Sequence, residues 1–481
     1  MAAPIEHTSE DSPEHHLESG SLVPLRDPAT KLILAPALAP GAQPTLAGWG
    51  GLRHPGREVF SEDLERLSAG RVLSRGLGRS YGDSALPPPG ELEVATTPLA
   101  DRILAFDPET GLMRAEAGLS LFALNRAMLP QGWFPPVTPG TQFVTLGGAV
   151  ASDVHGKNHH VAGCFGEHVR RLRMRVADGR VLWCSPSEHE DLYWATIGGM
   201  GLTGHILEVE VQLEKIPSSW LWQAAIRVPN IDAYIDALEQ AAAKWPMTVG
   251  WIDCVSTGKA LGRGVLYAGR WATRDEAPAK FAGPLRRLSV PIQLPSWTLN
   301  GLTVAAFNAL LFHKQPKRSE GVIHWENFFY PLDKIHHWNR IYGQAGFTQY
   351  QCVLPRSAGP GAARRFLETL QSCKGGTSFL CVIKDCGPQS RATLSFPMPG
   401  ISIALDIPVR AGTQTLIDRL NEATLREGGR IYLTKDAFTR ADHFRAMDGE
   451  RIEQFQAIRR RWDPELRLRS AQSVRVLGDP A

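Results

Sequence analysis

Residues 138–167 read TPGTQFVTLGGAVASDVHGKNHHVAGCFGE, and the rest of the chain is organised around this stretch. Its six glycines stand among small residues, and a polar cluster follows that comprises His155, Lys157, Asn158, His159 and His160. Glycine lets the backbone approach a ligand closely, so that backbone N–H groups converge on an anion or a ring edge. The polar cluster adds donors and a cation. The stretch therefore indicates a site for a flat, phosphorylated cofactor.

A second glycine-rich stretch, residues 75–83 with the sequence RGLGRSYGD, follows a strand-like segment at residues 71–74. Its backbone donors and its two arginines suit a pyrophosphate group. Alone, the stretch is equally compatible with a plain glycine-rich turn, but the two stretches together favour a cofactor site. No Gly-Lys-Ser or Gly-Lys-Thr sequence occurs, so neither stretch is a P-loop.

Residues 199–204, GMGLTG, match the G-x-G-x-x-G pattern of Rossmann folds. That pattern requires a strand before the glycines and a helix after them. Here a helical segment at residues 191–196 precedes the glycines, and an alternating strand at residues 205–214 follows them. The reversed order excludes a Rossmann site and leaves the glycines as points of close backbone approach.

Length and composition predict a soluble enzyme of two or three domains. The chain has 481 residues, of which 43% are apolar and 21% charged. The net charge is +3 with scattered basic residues, so no nucleic-acid partner is expected. Seven cysteines without a Cys-x-x-Cys pair argue against a disulfide framework or structural zinc and favour a reducing compartment.

The sequence predicts no signal peptide and no transmembrane helix. Residues 1–18 lack the basic-then-apolar order of a secretion signal. No run of about 18 or more apolar residues occurs. We therefore predict a cytoplasmic protein or one peripheral on the inner membrane.

Periodicity divides the chain into a leader and α+β regions. Residues 1–44 are predicted to be a disordered leader. Turn-bounded strands such as 103–106, 112–117, 172–176 and 181–183 indicate hairpins in the first region. The character changes after Ile216, where helices and strands such as 230–244, 349–354, 362–372, 401–407 and 413–426 follow.

The segment at residues 295–318 is apolar, carries Trp297, Phe307 and Phe312, and ends in cations. It is predicted to be either a buried helix or a flap that lies on lipid with Lys314, Lys317 and Arg318 at head-group level.

Several polar residues have the chemistry of a site but weak local patterns. His155 and His159 have a metal-ligand spacing, but the glycines around them disfavour a helix and no carboxylate or thiolate completes the set, so hydrogen bonding to a cofactor is favoured over a metal.

Lys384, Asp406 and Lys435 end apolar runs. Gln349 and Gln351 stand two residues apart and so lie on the same face of a predicted strand, where their amides suit sugar hydroxyls.

Together these motifs resemble the decaprenylphosphoryl-β-D-ribose 2′-oxidase family of vanillyl-alcohol-oxidase-type (PCMH-type) flavoproteins. The resemblance spans residues 48–469 and rests on the following segments: 75–83, 145–149, 155–160, 201–204, 338–340, 349–351, 396–400 and 435–436. It implies an α+β fold in which N- and C-terminal parts (45–216 and 430–481) form the FAD-binding domain. A substrate-binding domain (217–429), also α+β, is inserted between them.

The resemblance also implies site residues. FAD would be held by Arg75, Gly76, Leu77, Gly78, Arg79, Ser80, Tyr81, Gly82, Pro139, Gly140, Thr141, Thr145, Gly147, Gly148, Ala151, Ser152, Gly156, Asn158, His159, Ile206, Tyr432 and Lys435. The implied substrate residues are Trp251, Tyr330, Gln349, Gln351, Lys384 and Asp406, and the implied catalytic residues are His155, Lys157 and Lys435. Arg79 replaces the histidine of covalent relatives, which implies non-covalent FAD. Ala404 and Ser402 replace the family's active-site cysteine and asparagine, and the pair at 329–330 is shifted against the family's aromatic pair.

The implied reaction is oxidation of the 2′-hydroxyl of a polyprenyl-phosphoryl-β-D-ribose to the 2′-keto sugar, the first half of epimerisation to an arabinose donor for cell-envelope polysaccharide. Implied partners are an NADH-dependent short-chain reductase and quinone or oxygen as electron acceptor, with peripheral membrane contact. The proton acceptor is left open among His155, Lys435 and water. The alternatives are an oxidase of a soluble polyol, a non-redox nucleotide- or metal-binding module, and a scaffold with a degenerate pocket.

Overall fold

The computed structural model describes residues 44–295, 298–373 and 375–481. Of the predicted leader, residues 1–44, only the last residue lies within the described ranges. Trp297 also lies outside them.

The chain up to residue 216 is built around two sheets. Its elements are β1 Thr45–Ala47, β2 Arg53–Pro55, β3 Arg57–Phe60, α1 Leu64–Ser68, β4 Ser74–Arg75, β5 Glu93–Thr96, β6 Ile103–Phe106, β7 Leu112–Glu116, α2 Leu121–Met128, β8 Trp133–Phe134, α3 Leu146–Ala151, α4 His159–Ala162, β9 Val169–Arg175, β10 Val181–Cys184, α5 Glu190–Thr196, β11 His205–Gln212 and β12 Glu214–Lys215. A parallel sheet has the order β3-β5-β4, and an antiparallel sheet has the order β10-β9-β11-β7-β6.

Alternation along β9 explains the antiparallel sheet. Leu172 and Met174 are fully buried in the core. Arg173, which points to the other face, pairs with Glu208 of β11 at 3.1 Å, and opposite charges across strands stabilise a sheet. The predicted hairpins β6–β7 and β9–β10 are confirmed. The order around residues 199–204 is also confirmed, because α5 precedes the glycines and β11 follows them.

The remainder of the chain is built on one large antiparallel sheet. Its elements are β13 Trp220–Val228, α6 Ile231–Ala242, β14 Met247–Ile252, β15 Gly264–Trp271, β16 Leu288–Ser289, α7 Gly301–Lys314, β17 Arg318–His324, α8 Trp325–Phe329, β18 Ile335–His336, β19 Phe347–Pro355, α9 Ala362–Ser372, β20 Cys381–Cys386, β21 Gly400–Pro408, α10 Thr413–Arg426, β22 Arg430–Ile431, α11 Ala441–Trp462 and α12 Ala471–Leu477. The sheet has the order β17-β13-β15-β14-β20-β21-β19-β22. Leu238, Phe366 and Leu420 of α6, α9 and α10 share one core with Ile403 of β21.

The segment after β22 joins the two halves of the chain. β22 adds the last strand to the large sheet by pairing with β19. The backbone N–H of Tyr81 donates to the carbonyl of Thr434 at 2.9 Å, and the hydroxyl of Tyr432 donates to the carbonyl of Ser152 at 2.7 Å. The α+β class is confirmed, whereas the domain boundaries at 217 and 430 stay predictions.

The 295–318 segment forms helix α7, which is buried along one stripe only. Val304 and Phe312 are buried, whereas Leu302 and Leu310 on the remaining surface are 85% and 67% exposed. Within the three described ranges, no helix is long and apolar enough to cross a membrane.

Candidate active site

A cavity lies where the loop after β4, the loop leading into α3, the segment after β22 and the strands β19–β21 meet. The predicted cofactor residues that line it are Gly76, Leu77, Gly78, Arg79, Ser80, Tyr81, Pro139, Gly140, Thr141, Thr145, Gly147, Gly148, Ala151, Ser152, Ile206, Tyr432 and Lys435. Arg75, Gly82, Gly156, Asn158 and His159 do not line it. The fold therefore brings most of the predicted cofactor residues to one place.

Arg75 holds the first glycine-rich loop in shape from behind the cavity. Its Nε pairs with Oε1 of Glu58 at 2.8 Å, and its Nη2 donates to the carbonyl of Ala47 at 2.8 Å. Gly78 has a φ of +62°, and a Cβ there would lie 2.4 Å from Nη2 of Arg75. A Cβ on Gly82 would lie 1.9 Å from the carbonyl oxygen of Asp436. These two positions require glycine for packing within the protein.

The second loop presents backbone to the cavity, and its shape fits FAD. Thr145 caps α3 by accepting the N–H of Gly148 at 3.1 Å. A Cβ on Gly76 would lie 2.5 Å from Oγ1 of Thr145, so the two loops touch. A Cβ on Gly140 would meet nothing within 4 Å, although Gly140 lines the cavity. Close-packed glycine beside open space is the arrangement that lets a nucleotide approach the backbone.

Asn158 and His159 shape the end of this loop. The amide of Asn158 donates to the carbonyl of Pro136 at 2.8 Å. Nδ1 of His159 accepts the N–H of Gly387 at 2.9 Å, and burial lowers the pKa of His159 to about 4. Among the described residues, no three His, Cys, Asp or Glu side chains are grouped to hold a metal ion.

His155 lines the cavity as a neutral ring. It packs against Phe396 and Tyr432 with ring centroids 5.3 and 5.0 Å apart. Nε2 of Gln351 donates to its Nε2 at 2.9 Å, and its buried Nδ1 has no partner among the described residues. Burial, followed by the charge of Lys384, holds the pKa of His155 well below its usual value.

Two lysines, Lys384 and Lys435, also line the cavity. Nζ of Lys435 lies 4.0 Å from the ring centroid of Tyr81. Burial lowers the pKa of Lys435 to about 7, and the nearby carboxylate of Asp406 opposes this shift. Burial also lowers the pKa of Lys384, whose ammonium contacts no hydrogen-bonding or ion-pair partner in the described part of the chain. Both are therefore available to a ligand.

Lys157 is placed behind the cavity lining. Its ammonium donates to the carbonyls of Phe328 and, at 3.0 Å, Phe329 in α8. Burial, with a further contribution from Lys384, lowers its pKa to about 7. Lys157 thus ties the 155–160 segment to α8.

The predicted substrate residues divide into lining and supporting groups. Gln349, Gln351 and Lys384 line the cavity. Asp406 lies behind Gln349, whose Nε2 donates to it at 2.5 Å. Gln351 donates to the hydroxyl of Ser402 at 3.1 Å.

Trp251 and Tyr330 do not line the cavity. Nε1 of Trp251 donates to the carbonyl of Phe379 at 2.9 Å. The hydroxyl of Tyr330 lies 2.5 Å from that of Thr138 in a buried pair. Ala404, at the position where the resemblance implied a cysteine, does line the cavity.

Asp333 is a lining residue that sequence reasoning missed. Its carboxylate accepts the N–H of Gln142 at 2.9 Å, and burial raises its pKa to about 6. Trp49, Leu332 and Leu380 also line the cavity without having been predicted. Trp338 belongs to the 338–340 motif, so the sequence indicated it. Asp333 lies in the short 3-10 helix Pro331–Lys334, which carries no motif. Gly201, predicted to be a point of close approach, lines the cavity with a φ of +81°.

The chain is similar in sequence to known proteins. A family model described as an FAD binding domain matches residues 68–185. The decaprenylphosphoryl-beta-D-ribose oxidase of Mycolicibacterium smegmatis is 38% identical over 402 residues, 82% of this chain and 86% of that protein. An uncharacterized protein in the mprA 5′ region of Streptomyces coelicolor is 32% identical over 72% of this chain and 96% of its own. A putative D-arabinono-1,4-lactone oxidase of Neurospora crassa is 28% identical over 34% of this chain and 28% of its own. The matches confirm the predicted FAD-binding domain, the FAD cofactor and the oxidoreductase class.

Proposed function

The chain belongs to the decaprenylphosphoryl-β-D-ribose oxidase family, and on that premise we propose that it oxidises the 2′-hydroxyl of a polyprenyl-phosphoryl-β-D-ribose to the 2′-keto sugar. One observation carries the proposal: both glycine-rich loops, His155, Lys384 and Lys435 line a single cavity. A pentose on a lipid phosphate offers hydroxyls and a phosphate, which amides and ammonium groups bind.

FAD would be held by the loop at residues 76–81, by residues 139–152 and by Tyr432. When bound, it supplies the hydride acceptor and hence the redox chemistry. We propose that it binds without a covalent bond, because Arg79 stands where covalent relatives have histidine. The guanidinium of Arg79 lies 4.1 Å from the ring centroid of Trp49 and so has an aromatic partner in the wall.

The side of the cavity formed by strands β19–β21 would bind the sugar. The amides of Gln349 and Gln351 line it and suit the ribose hydroxyls. The ammonium of Lys384, which has no ion-pair partner in the described ranges, would pair with the phosphate. Lys435 would supply a positive charge beside the flavin and so stabilise the negative charge that the flavin gains on reduction, an effect of the oxyanion-hole kind.

The product chemistry defines the partners of this step. A 2′-keto sugar becomes the arabinose epimer when a hydride is added to the opposite face, so an NADH-dependent short-chain reductase is the proposed second enzyme. Quinone or oxygen is the proposed acceptor of the electrons. The two steps together would supply an arabinose donor for cell-envelope polysaccharide.

Helix α7 is the proposed point of peripheral membrane contact. Leu302, Phe307 and Leu310 are exposed on it, and exposed cations follow between residues 314 and 318. Apolar side chains beside cations are typical of helices that lie at a lipid surface. The lipid tail of the substrate would run beneath this helix.

A vesicle assay tests the membrane contact. Leu302→Ser with Leu310→Ser should weaken partition onto vesicles containing anionic phospholipid by tenfold or more, since each leucine that enters lipid contributes about 1.5–3 kcal/mol. Leu92→Ser with Val161→Ser removes exposed side chains elsewhere (52% and 65% exposed) and should change nothing. Equal partition of both pairs would reject the α7 contact.

Absorbance spectroscopy tests the function. The purified protein should be yellow, and anaerobic addition of decaprenyl-phosphoryl-ribose should bleach the flavin band. Free pentitols should leave the band unchanged. Bleaching by pentitols alone would identify an oxidase of soluble polyols, and a colourless protein that does not take up FAD would reject the redox function.

A further inference from the structure

Asp406 is placed so that it cannot serve as a direct sugar ligand. It is 0% exposed on β21 and does not line the cavity. Its Oδ1 accepts from Nε2 of Gln349 at 2.5 Å, and its Oδ2 accepts from the hydroxyl of Tyr342 at 2.9 Å. Both oxygens are thus used within the protein. Burial makes a carboxylate costly to keep charged, whereas the hydrogen bonds from Gln349 and Tyr342 and the charge of Lys435 favour the charged form of Asp406.

We propose that Asp406 is a positioning residue of the oxidase: it fixes the amide of Gln349 so that the carbonyl oxygen is offered to the sugar, and it keeps the ammonium of Lys435 charged. The substrate in this inference rests on the proposed function. The inference extends that function, because it assigns Asp406 a role through two other side chains.

The hydrogen bonds of Gln349 carry the first half of the inference. Its Nε2 donates to Asp406 and also lies 3.5 Å from the hydroxyl of Tyr81. An amide nitrogen has two hydrogens, so its donors are directed into the protein. Oε1 has no hydrogen-bond partner among the described residues and belongs to a side chain that lines the cavity. A carbonyl held in this way accepts a hydrogen bond from a hydroxyl and rejects another acceptor.

Geometry and charge together carry the second half. Nζ of Lys435 lies 4.0 Å from the ring centroid of Tyr81, and the hydroxyl of Tyr81 lies 3.5 Å from the same amide nitrogen of Gln349 that donates to Asp406. The titratable groups that act on Lys435 and Asp406 are, taken together, Tyr81, His155, Tyr342, Cys381 and Lys384. Lys384 disfavours the charge on Lys435, and Asp406 is the carboxylate that favours it. Burial raises the pKa of Asp406 to about 6. Activity should therefore be lost as pH falls through the pKa of Asp406 and as pH rises through that of Lys435.

Asp406→Asn separates this role from a structural one. A lost neighbouring charge moves a pKa by about 1–3 units, so the basic limb of kcat should move to lower pH by about one unit. At a pH above that limb, kcat should fall roughly tenfold, with a smaller loss below it. In the FAD-loaded full chain, NMR of 13Cε-labelled lysine should show the Lys435 titration moving in the same direction, its signal being assigned from Lys435→Met.

Two further variants keep the test decisive. Asp385→Asn removes a buried carboxylate on the neighbouring strand that pairs with Arg356, and it should leave both titrations unchanged. Tyr342→Phe keeps the charge of Asp406 but removes a donor that stabilises it, so the acidic limb should move to higher pH even if Asp406→Asn fails to fold.

An unmoved Lys435 titration in Asp406→Asn, or an unmoved acidic limb in Tyr342→Phe, would overturn the proposal. The NMR titration needs no substrate. Failure of the wild-type flavin to bleach would therefore reject the proposed function separately.

Discussion

The loop wall of the cavity, formed by residues 76–81 and 139–152, contrasts with the sheet wall, formed by β19–β21 and the segment after β22. On the loop wall, glycines control how closely backbone approaches backbone, as where a Cβ on Gly76 would meet Thr145. On the sheet wall, burial shifts the pKa values of Lys384, Asp406 and Lys435. One wall is defined by shape and the other by charge. Substitutions on the loop wall should therefore change FAD affinity, and those on the sheet wall should change turnover and substrate affinity.

The largest expected effect belongs to the sheet wall. Lys435→Met keeps an unbranched side chain of similar length beside Tyr81 but removes the ammonium that lies over its ring, so kcat should fall by about 10²–10³. FAD affinity should weaken to a smaller extent, and the melting temperature should be retained. Steady-state kinetics with calorimetry provide the measurement.

Lys215→Met is the matched control for Lys435→Met. Its Nζ lies 4.4 Å from the ring centroid of Trp133 and outside the cavity lining, so it should leave kcat unchanged. Normal turnover in Lys435→Met would remove this lysine from the mechanism.

The second-largest expected effect is on the loop wall. Gly140→Val fills space that no protein atom occupies near the new Cβ. It should raise the dissociation constant of FAD by roughly 10–100-fold, from about 1–3 kcal/mol of overpacking against the cofactor. Fluorescence titration of FAD measures this effect.

Gly321→Val in β17 is the control, since a Cβ there also meets nothing within 4 Å. It should bind FAD normally. If Gly140→Val also binds FAD normally, the loop wall does not hold the cofactor.

The smallest of the three expected effects is on the sheet wall. Lys384→Met should raise the KM for the phosphorylated substrate about tenfold, which is near the lower end of the free energy of a hydrogen bond to a charged group. FAD affinity should stay unchanged. The same variant assayed with a dephosphorylated analogue should show no loss, whereas an equal loss with both substrates would place Lys384 away from the phosphate.

The loop wall was largely predictable from the sequence. Glycine leaves a local signal, and the positions Gly76, Gly78, Gly147 and Gly148 were all found to line the cavity. Strand alternation was equally local, so the hairpins could be predicted. The resemblance, rather than any local pattern, brought Lys435 into the site, because its role depends on the segment after β22 reaching the first half of the chain.

Residues whose environment arises only from tertiary packing were less predictable. Lys157 stands in the polar cluster beside His155, yet its ammonium contacts carbonyls of α8, which are about 170 residues away in sequence. Asp333 lines the cavity from a short 3-10 helix whose sequence shows no pattern. Burial and partner choice at such positions are properties of the assembled fold.

The segment after β22 also determines when the cavity can exist during synthesis. The hydrogen bond from Tyr432 to Ser152 spans 280 residues, and the ion pair from Arg475 to Asp83 spans 392. Chains emerge from the ribosome at about 5–20 residues per second. A nascent chain therefore spends many seconds with both glycine loops made and the sheet wall incomplete. Messages cut short before codon 430 would yield polypeptides with an open, solvent-exposed cleft, and chaperones would have to protect that cleft until translation ends.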